Sequence, residues 1–227
     1  MDGSETVLIT GVSRGIGEAL ALRFLRLGWA VEGLGRTPPS WVATPPGRFR
    51  MHQADLGDIA SVERACDSIG EIDLLINSAA VFGGDAFFAR DFRVDALQQT
   101  LTVNLVAPCL IARRFRERLA RGRRKLLIMM STGNASLAGN TGGEMFAYRC
   151  SKSALNQAVR TMAAEWAGDG LSVVALNPGW VRTDMGGAAA PLSTGEAAEE
   201  IIRFATERAA PTMNGCFLNT DGSSLPW

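Results

Sequence analysis

The sequence predicts a doubly wound, parallel α/β sheet in a single domain, and three observations lead there. Short runs dense in Val, Ile and Leu alternate with longer amphipathic stretches from one end of the chain to the other. Most of the runs are apolar at nearly every position, as strands covered on both faces must be. The 227 residues, 47% of them hydrophobic, suffice for one substantial core, and no stretch is long enough to be an interdomain linker.

The elements follow in order. Thr6–Thr10 reads as the first strand and Ile16–Leu27 as the first helix, with a glycine-rich turn between them. Ala30–Leu34 and Phe49–Gln53 are the next strands, separated by the breaks Thr37-Pro38-Pro39-Ser40 and Thr44-Pro45-Pro46-Gly47. Helix Ile59–Ile69 leads to strand Leu74–Asn77, and the long pattern Val94–Leu119 leads to strand Leu126–Ser131. Helix Phe146–Trp166, strand Ser172–Asn177, helix Gly195–Glu207 and strand Cys216–Asn219 complete about seven strands with helices on both faces.

Rare residues narrow the chemistry. There is one His (His52) and one Tyr (Tyr148), and the only lysines are Lys125 and Lys152. A lone histidine excludes a multi-histidine metal site, so no metal is expected, and leaves a Ser-His-Asp triad only if His52 is its base. His52 lies in a predicted strand and reads as a hydrogen-bonded structural residue. Basic and acidic groups balance at 23 each, which argues against nucleic-acid or membrane-surface binding. The arginine run Arg113–Arg124 lacks interleaved aromatics and reads as a solvated helix end. Cys66, Cys109, Cys150 and Cys216 are widely spaced and read as reduced thiols. The N-terminus lacks the pattern of a signal peptide and no apolar run is long enough to span a membrane, so a cytoplasmic protein is expected.

The turn Thr10-Gly11-Val12-Ser13-Arg14-Gly15-Ile16-Gly17 sits between a strand and a helix. Glycines at 11, 15 and 17 let the backbone approach a pyrophosphate, and the helix N-terminus supplies N–H donors for it. Choice between dinucleotides should be written at the end of the second strand, where an NAD site carries a carboxylate. This chain has Gly33-Leu34-Gly35-Arg36 there, and Arg36 with Arg14 suits a 2′-phosphate, so NADP(H) is expected over NAD(H).

Tyr148 and Lys152 are four residues apart on a strongly amphipathic helix and share a face. A phenol is a weak acid–base group near neutral pH, and a neighbouring ammonium favours its phenolate. The glycine-rich turn, Asn77-Ser78-Ala79-Ala80, Tyr148-x-x-x-Lys152 and Asn177-Pro178-Gly179 occur in that order. Together they resemble the short-chain dehydrogenase/reductase family, over essentially the whole chain. The stretches Ala147–Asn156, Pro178–Gly187 and the ending Asp221-Gly222-x-x-x-Pro226-Trp227 are similar to the branch that holds C-factor signalling proteins and sniffer-type carbonyl reductases.

The resemblance implies a Rossmann-type fold and a role for each residue that matches. Tyr148 would exchange a proton with the substrate oxygen, and Lys152 would lower its pKa and hold the nicotinamide ribose. Ser131 would hydrogen-bond the substrate oxygen, with Thr132 or Ser136 as alternatives. Asn104 would hold a water that relays protons to Lys152. Gly11, Ser13, Arg14, Gly15, Ile16, Gly17 and Arg36 would bind the phosphate end, and Asp55 and Leu56 the adenine. Asn77 would brace the sheet, Ala79 would lie near the ribose, and Pro178, Gly179, Val181 and Thr183 would line the nicotinamide. Family members often pair through two long central helices, so a homodimer or homotetramer is expected. Phe82, Phe87, Phe88 and Phe92 could wall an apolar pocket or simply pack the loop that carries them.

The expected activity is reduction of a small-molecule carbonyl, or oxidation of a secondary alcohol, with NADPH. A nucleotide-binding signalling protein of C-factor type with little turnover is the alternative.

Overall fold

Alternating side-chain direction along buried strands requires two covered faces, and the structure supplies both. A computed structural model describes residues 4–41, 47–83 and 92–227. The strands are β1 (Thr6–Thr10), β2 (Ala30–Gly35), β3 (Phe49–Gln53), β4 (Leu74–Asn77), β5 (Leu126–Met130), β6 (Ser172–Asn177) and β7 (Phe217–Asn219). They form one seven-stranded sheet in the order β3-β2-β1-β4-β5-β6-β7, with every pairing parallel.

The helices are α1 (Gly15–Arg26), α2 (Ile59–Asp67), α3 (Val94–Leu101), α4 (Ala107–Arg121), α5 (Phe146–Glu165) and α6 (Thr194–Arg203). Along β5, Leu127 and Met129 join the core beneath α2, α4 and α5, whereas Leu126, Ile128 and Met130 join the core beneath α1 and α6. β1 divides the same way, with Leu8 on one side and Val7 and Ile9 on the other.

Strand boundaries match the pattern closely, and the expected helix Val94–Leu119 forms as continuous helical backbone with one irregularity. A wide π-type turn at Thr102–Val106 is that irregularity, followed by Pro108 at the start of α4. Proline has no N–H to give the preceding turn, and a π turn absorbs the mismatch. This irregular turn carries Asn104.

The strand order reverses direction between β1 and β4, so their carboxyl ends open the crevice where such sheets bind ligands. Away from that crevice, His52 is buried between Glu32 Oε2 at 2.5 Å and Ser68 Oγ at 2.8 Å, which makes it part of the β2–β3–α2 packing. The arginine run is ion-paired to neighbouring elements, with Arg116 on Asp169, Arg121 on Glu71 and Arg124 on Glu5. Among the described residues, no helix is long and apolar enough to cross a membrane.

Candidate active site

The glycine-rich turn leaves β1 at Gly11, whose φ of 79° is a left-handed backbone that glycine adopts without strain. A Cβ there would also stand 3.1 Å from Ala79, just beyond β4. Gly17 faces the turn from the first coil of α1, where a Cβ would fall 2.2 Å from the Gly11 carbonyl oxygen. Thr10 ties the two strand ends, its hydroxyl accepting from Ala79 N at 3.0 Å. Arg14 precedes α1 and no side chain caps the helix, so its first N–H groups point into the crevice with the positive end of the helix dipole. This cradle fits a pyrophosphate.

Around it lie the remaining expected cofactor residues. Arg36 is exposed just past β2, and Asp55 follows β3 in a tight turn in which its Oδ1 accepts from Gly57 N at 2.8 Å. Asn77 is buried at the end of β4, where its amide donates to the Pro108 carbonyl and to the Met129 thioether Sδ, bracing β4 against α4 and β5. Its Oδ1 is buried without a partner. Beyond β6, Thr183 Oγ1 accepts from Gly186 N at 3.0 Å, and its methyl approaches Gly15. Arg14 reaches the same loop in an exposed ion pair with Asp184 at 2.7 Å.

The chemistry-bearing side chains gather where β5 meets α5. Lys152 is buried, and its Nζ donates to the Met130 carbonyl oxygen at 2.7 Å and lies 6.0 Å from the centre of the Tyr148 ring. Thr132 follows β5 in extended backbone, and its hydroxyl is the side-chain group that acts on the Tyr148 phenol. Burial pushes the Tyr148 pKa up to about 12, with the Thr132 contact acting against it. Burial also brings Lys152 down to about 8. With Nζ turned to the Met130 carbonyl, desolvation is the largest influence on the tyrosine in this arrangement.

Ser131 is engaged within the protein. Its hydroxyl is buried and donates to Asn156 Oδ1 at 2.6 Å, so it faces the protein interior. Of the three hydroxyls left open by the sequence, Thr132 is the one beside Tyr148. Ser136 instead donates to the main-chain oxygen of Trp227 at 3.1 Å. Asn104 is fully buried, and its amide is spent on a two-way clamp: Oδ1 accepts from Val81 N and Nδ2 donates to Val81 O, each at 2.8 Å. It also donates to Ser151 Oγ at 3.0 Å, so the π turn locks the segment after β4 to α5. The Asn104 side chain is thus a clamp between the segment after β4 and α5.

Phe82 stacks near Tyr148 with ring centres 5.8 Å apart, and Phe92 meets Phe146 edge-on at 6.1 Å. Phe87 and Phe88 lie outside the described residues. Asn156 was not singled out from the sequence. Its signal was there, in a polar residue one turn after Lys152 on the buried stripe of α5.

The arrangement puts a protonated phenol, a hydroxyl donor and a buried cation at the mouth of a dinucleotide cradle, which suits proton exchange beside hydride transfer. Comparison with known proteins decides the family, because the model of the short chain dehydrogenase family matches residues 5–191. The chain belongs to that family. Its members are NAD(P)-dependent oxidoreductases that act on CH–OH and C=O groups.

Within the family the chain is of C-factor and sniffer type. It is 34% identical to the C-signal protein of Myxococcus xanthus over 163 residues, covering 70% of this chain and 94% of that one. The carbonyl reductase Sniffer of D. melanogaster superposes with a TM-score of 0.90 at 28% identity, covering 99% of this chain and all of that one. An NADPH-bound carbonyl reductase from chicken fatty liver gives a TM-score of 0.88 at 25% identity, covering 99% and 94%.

Proposed function

We propose that the chain reduces a small carbonyl compound, or oxidises the matching secondary alcohol, with NADPH preferred over NADH. The observation that carries this reading is the meeting of Thr132, Tyr148 and Lys152 at the end of β5. The nicotinamide, when bound, supplies or accepts the hydride. The phenol keeps its proton at neutral pH, and because burial makes it a weak acid, it gives that proton to a carbonyl oxygen only as the phenolate left behind is stabilised. The single O–H of Thr132 can donate to the phenol oxygen, favouring the phenolate left behind, or turn to the substrate oxygen when substrate is bound. The positive charge of Lys152 favours the same phenolate.

Gly11, Ser13, Gly15, Ile16 and Gly17 would hold the pyrophosphate, Asp55 and Leu56 the adenine, and Ala79 and Lys152 the ribose. Pro178, Gly179, Val181 and Thr183 would hold the nicotinamide, with Asn77 and Asn104 fixing the walls. Arg36 has no carboxylate beside it at the strand end, which favours a 2′-phosphate. Arg14 can join it, since its exposed pair with Asp184 is worth at most about 1 kcal/mol. Similar solved structures with bound NADPH or NADP support this choice.

A second copy of the chain would pack on the groove between α4 and α5. Its floor is Cys109, Ala154, Ala158 and Met162, and its rim carries Arg113 and Glu165, charges that can complement each other across a two-fold axis. Sedimentation of the wild type and of Ala158→Arg tests that pairing.

The similarity to C-signal supports a second reading, a nucleotide-binding signalling protein with little turnover. Incubation with NADPH and a panel of aldehydes and ketones separates the two. Oxidation of NADPH by any carbonyl supports the reductase. Tight NADPH binding with no turnover supports the signalling protein.

A further inference from the structure

Three consecutive residues at the end of β5 meet three residues spaced by four on α5. The Met130 carbonyl accepts from Lys152, the Ser131 hydroxyl donates to Asn156, and the Thr132 hydroxyl acts on the Tyr148 phenol. Positions 148, 152 and 156 lie along one stripe of the helix. Tyr148 and Lys152 belong to the reaction proposed above. The Ser131–Asn156 contact touches neither the reacting groups nor the cofactor cradle.

Both residues are 3% exposed, and the Ser131 Oγ to Asn156 Oδ1 distance is 2.6 Å. Asn156 Nδ2 is buried without a partner, so the amide carries a desolvation cost that an apolar residue of the same shape would avoid. A polar pair retained at such a cost supplies a directional bond, where apolar packing tolerates sliding. Ser131 is joined to Thr132 by one peptide, and Asn156 sits one helical turn from Lys152.

We propose that Ser131 and Asn156 form a positioning pair that fixes the end of β5 against α5 in the register where Thr132 meets Tyr148. The proposal rests on the reading of Thr132 and Tyr148 as reacting groups. Losing the pair lets strand end and helix slide by a fraction of an ångström, which loosens the Thr132–Tyr148 contact while leaving the cofactor cradle at β1 and α1 intact.

The test uses Ser131→Ala, Asn156→Leu and the double variant, with Ser131→Thr as the conservative replacement and Thr132→Val and Tyr148→Phe as controls. Tyr148 is the only tyrosine, so tyrosine labelled at Cζ with an NMR-active carbon gives one resonance that reports its phenol directly. Each single variant is expected to lower kcat about tenfold, with KM and the NADPH Kd held within about twofold. The double variant should be no worse than the poorer single one, because both remove the same constraint. Ser131→Thr should keep most of the rate. The Tyr148 resonance should move in the direction seen for Thr132→Val.

If Ser131→Ala and Asn156→Leu leave kcat and the resonance at wild-type values while Tyr148→Phe is inactive, the pair is merely structural and the proposal falls. If Ser131→Ala alone is as damaging as Tyr148→Phe and Asn156→Leu is silent, Ser131 holds the substrate itself and the proposal also falls. Should the wild type turn over no carbonyl, the reductase reading fails, and the resonance alone decides whether the pair sets the Thr132–Tyr148 contact. Should Asn156→Leu not fold, Ser131→Ala, which removes a single oxygen, carries the test.

Discussion

Lys152 Nζ donates to the Met130 carbonyl oxygen at 2.7 Å while almost wholly withdrawn from water. That burial lowers its pKa from 10.5 to about 8. Between those two values the unfolded chain binds a proton that the folded chain does not, so this residue makes stability rise with pH across that window. Below about pH 8 both states carry the proton, and the folded state bears the full desolvation cost. Thermal melts of wild type and Lys152→Met should therefore diverge with pH. The Tm of the variant relative to wild type should be highest near neutral pH and fall as pH rises towards 10.5. A constant difference would show that Lys152 is not depressed.

The glycine cradle makes a steric prediction. A methyl at position 17 would fall 2.2 Å from the Gly11 carbonyl oxygen, so Gly17→Ala must push the turn away from α1. A stability loss of about 1–3 kcal/mol is expected, together with a larger loss of NADPH affinity because the donors at the helix start are displaced. Denaturant melts and fluorescence titration read the two effects. Unchanged NADPH affinity would place the phosphates elsewhere.

Cofactor preference should reside at Arg36, where β2 ends at Gly35 without a carboxylate. Arg36→Asp puts a negative charge against the 2′-phosphate and offers an acceptor for a 2′-hydroxyl. NADPH should weaken about tenfold or more while NADH tightens. Parallel titrations check this, and equal affinities of the wild type for both dinucleotides would remove its basis.

Much of the fold was legible because a parallel sheet covered on both faces imprints long apolar runs, and the strands at β1, β3, β4 and β6 end where the pattern ends. Periodicity could not show the π turn at Thr102–Val106, because a single extra residue per turn barely shifts a helical pattern. In the site, the spacing of Tyr148 and Lys152 was readable and their environment was not. Burial, which governs both pKa values, depends on tertiary packing. The choice between Ser131 and Thr132 was equally hidden, since it turns on one residue of strand length and on Asn156 being there to take Ser131.

Thr132 should behave as a hydroxyl in use. Thr132→Val keeps the shape but removes the one O–H that serves Tyr148 or a substrate oxygen, and kcat should fall about 10²-fold or more. Thr132→Ser should retain most of the rate. Steady-state kinetics on one carbonyl substrate distinguishes them, and full activity in Thr132→Val would contradict the assignment.

The central claim is that the phenol of Tyr148 delivers the proton. Tyr148→Phe keeps the ring against Phe82 and removes only the hydroxyl. The decisive measurement is kcat for reduction of a carbonyl substrate by Tyr148→Phe, alongside its NADPH Kd and Tm. The account predicts a fall of about 10²–10⁴-fold in kcat, with NADPH affinity and melting temperature close to wild type. Reduction at close to the wild-type rate would contradict it.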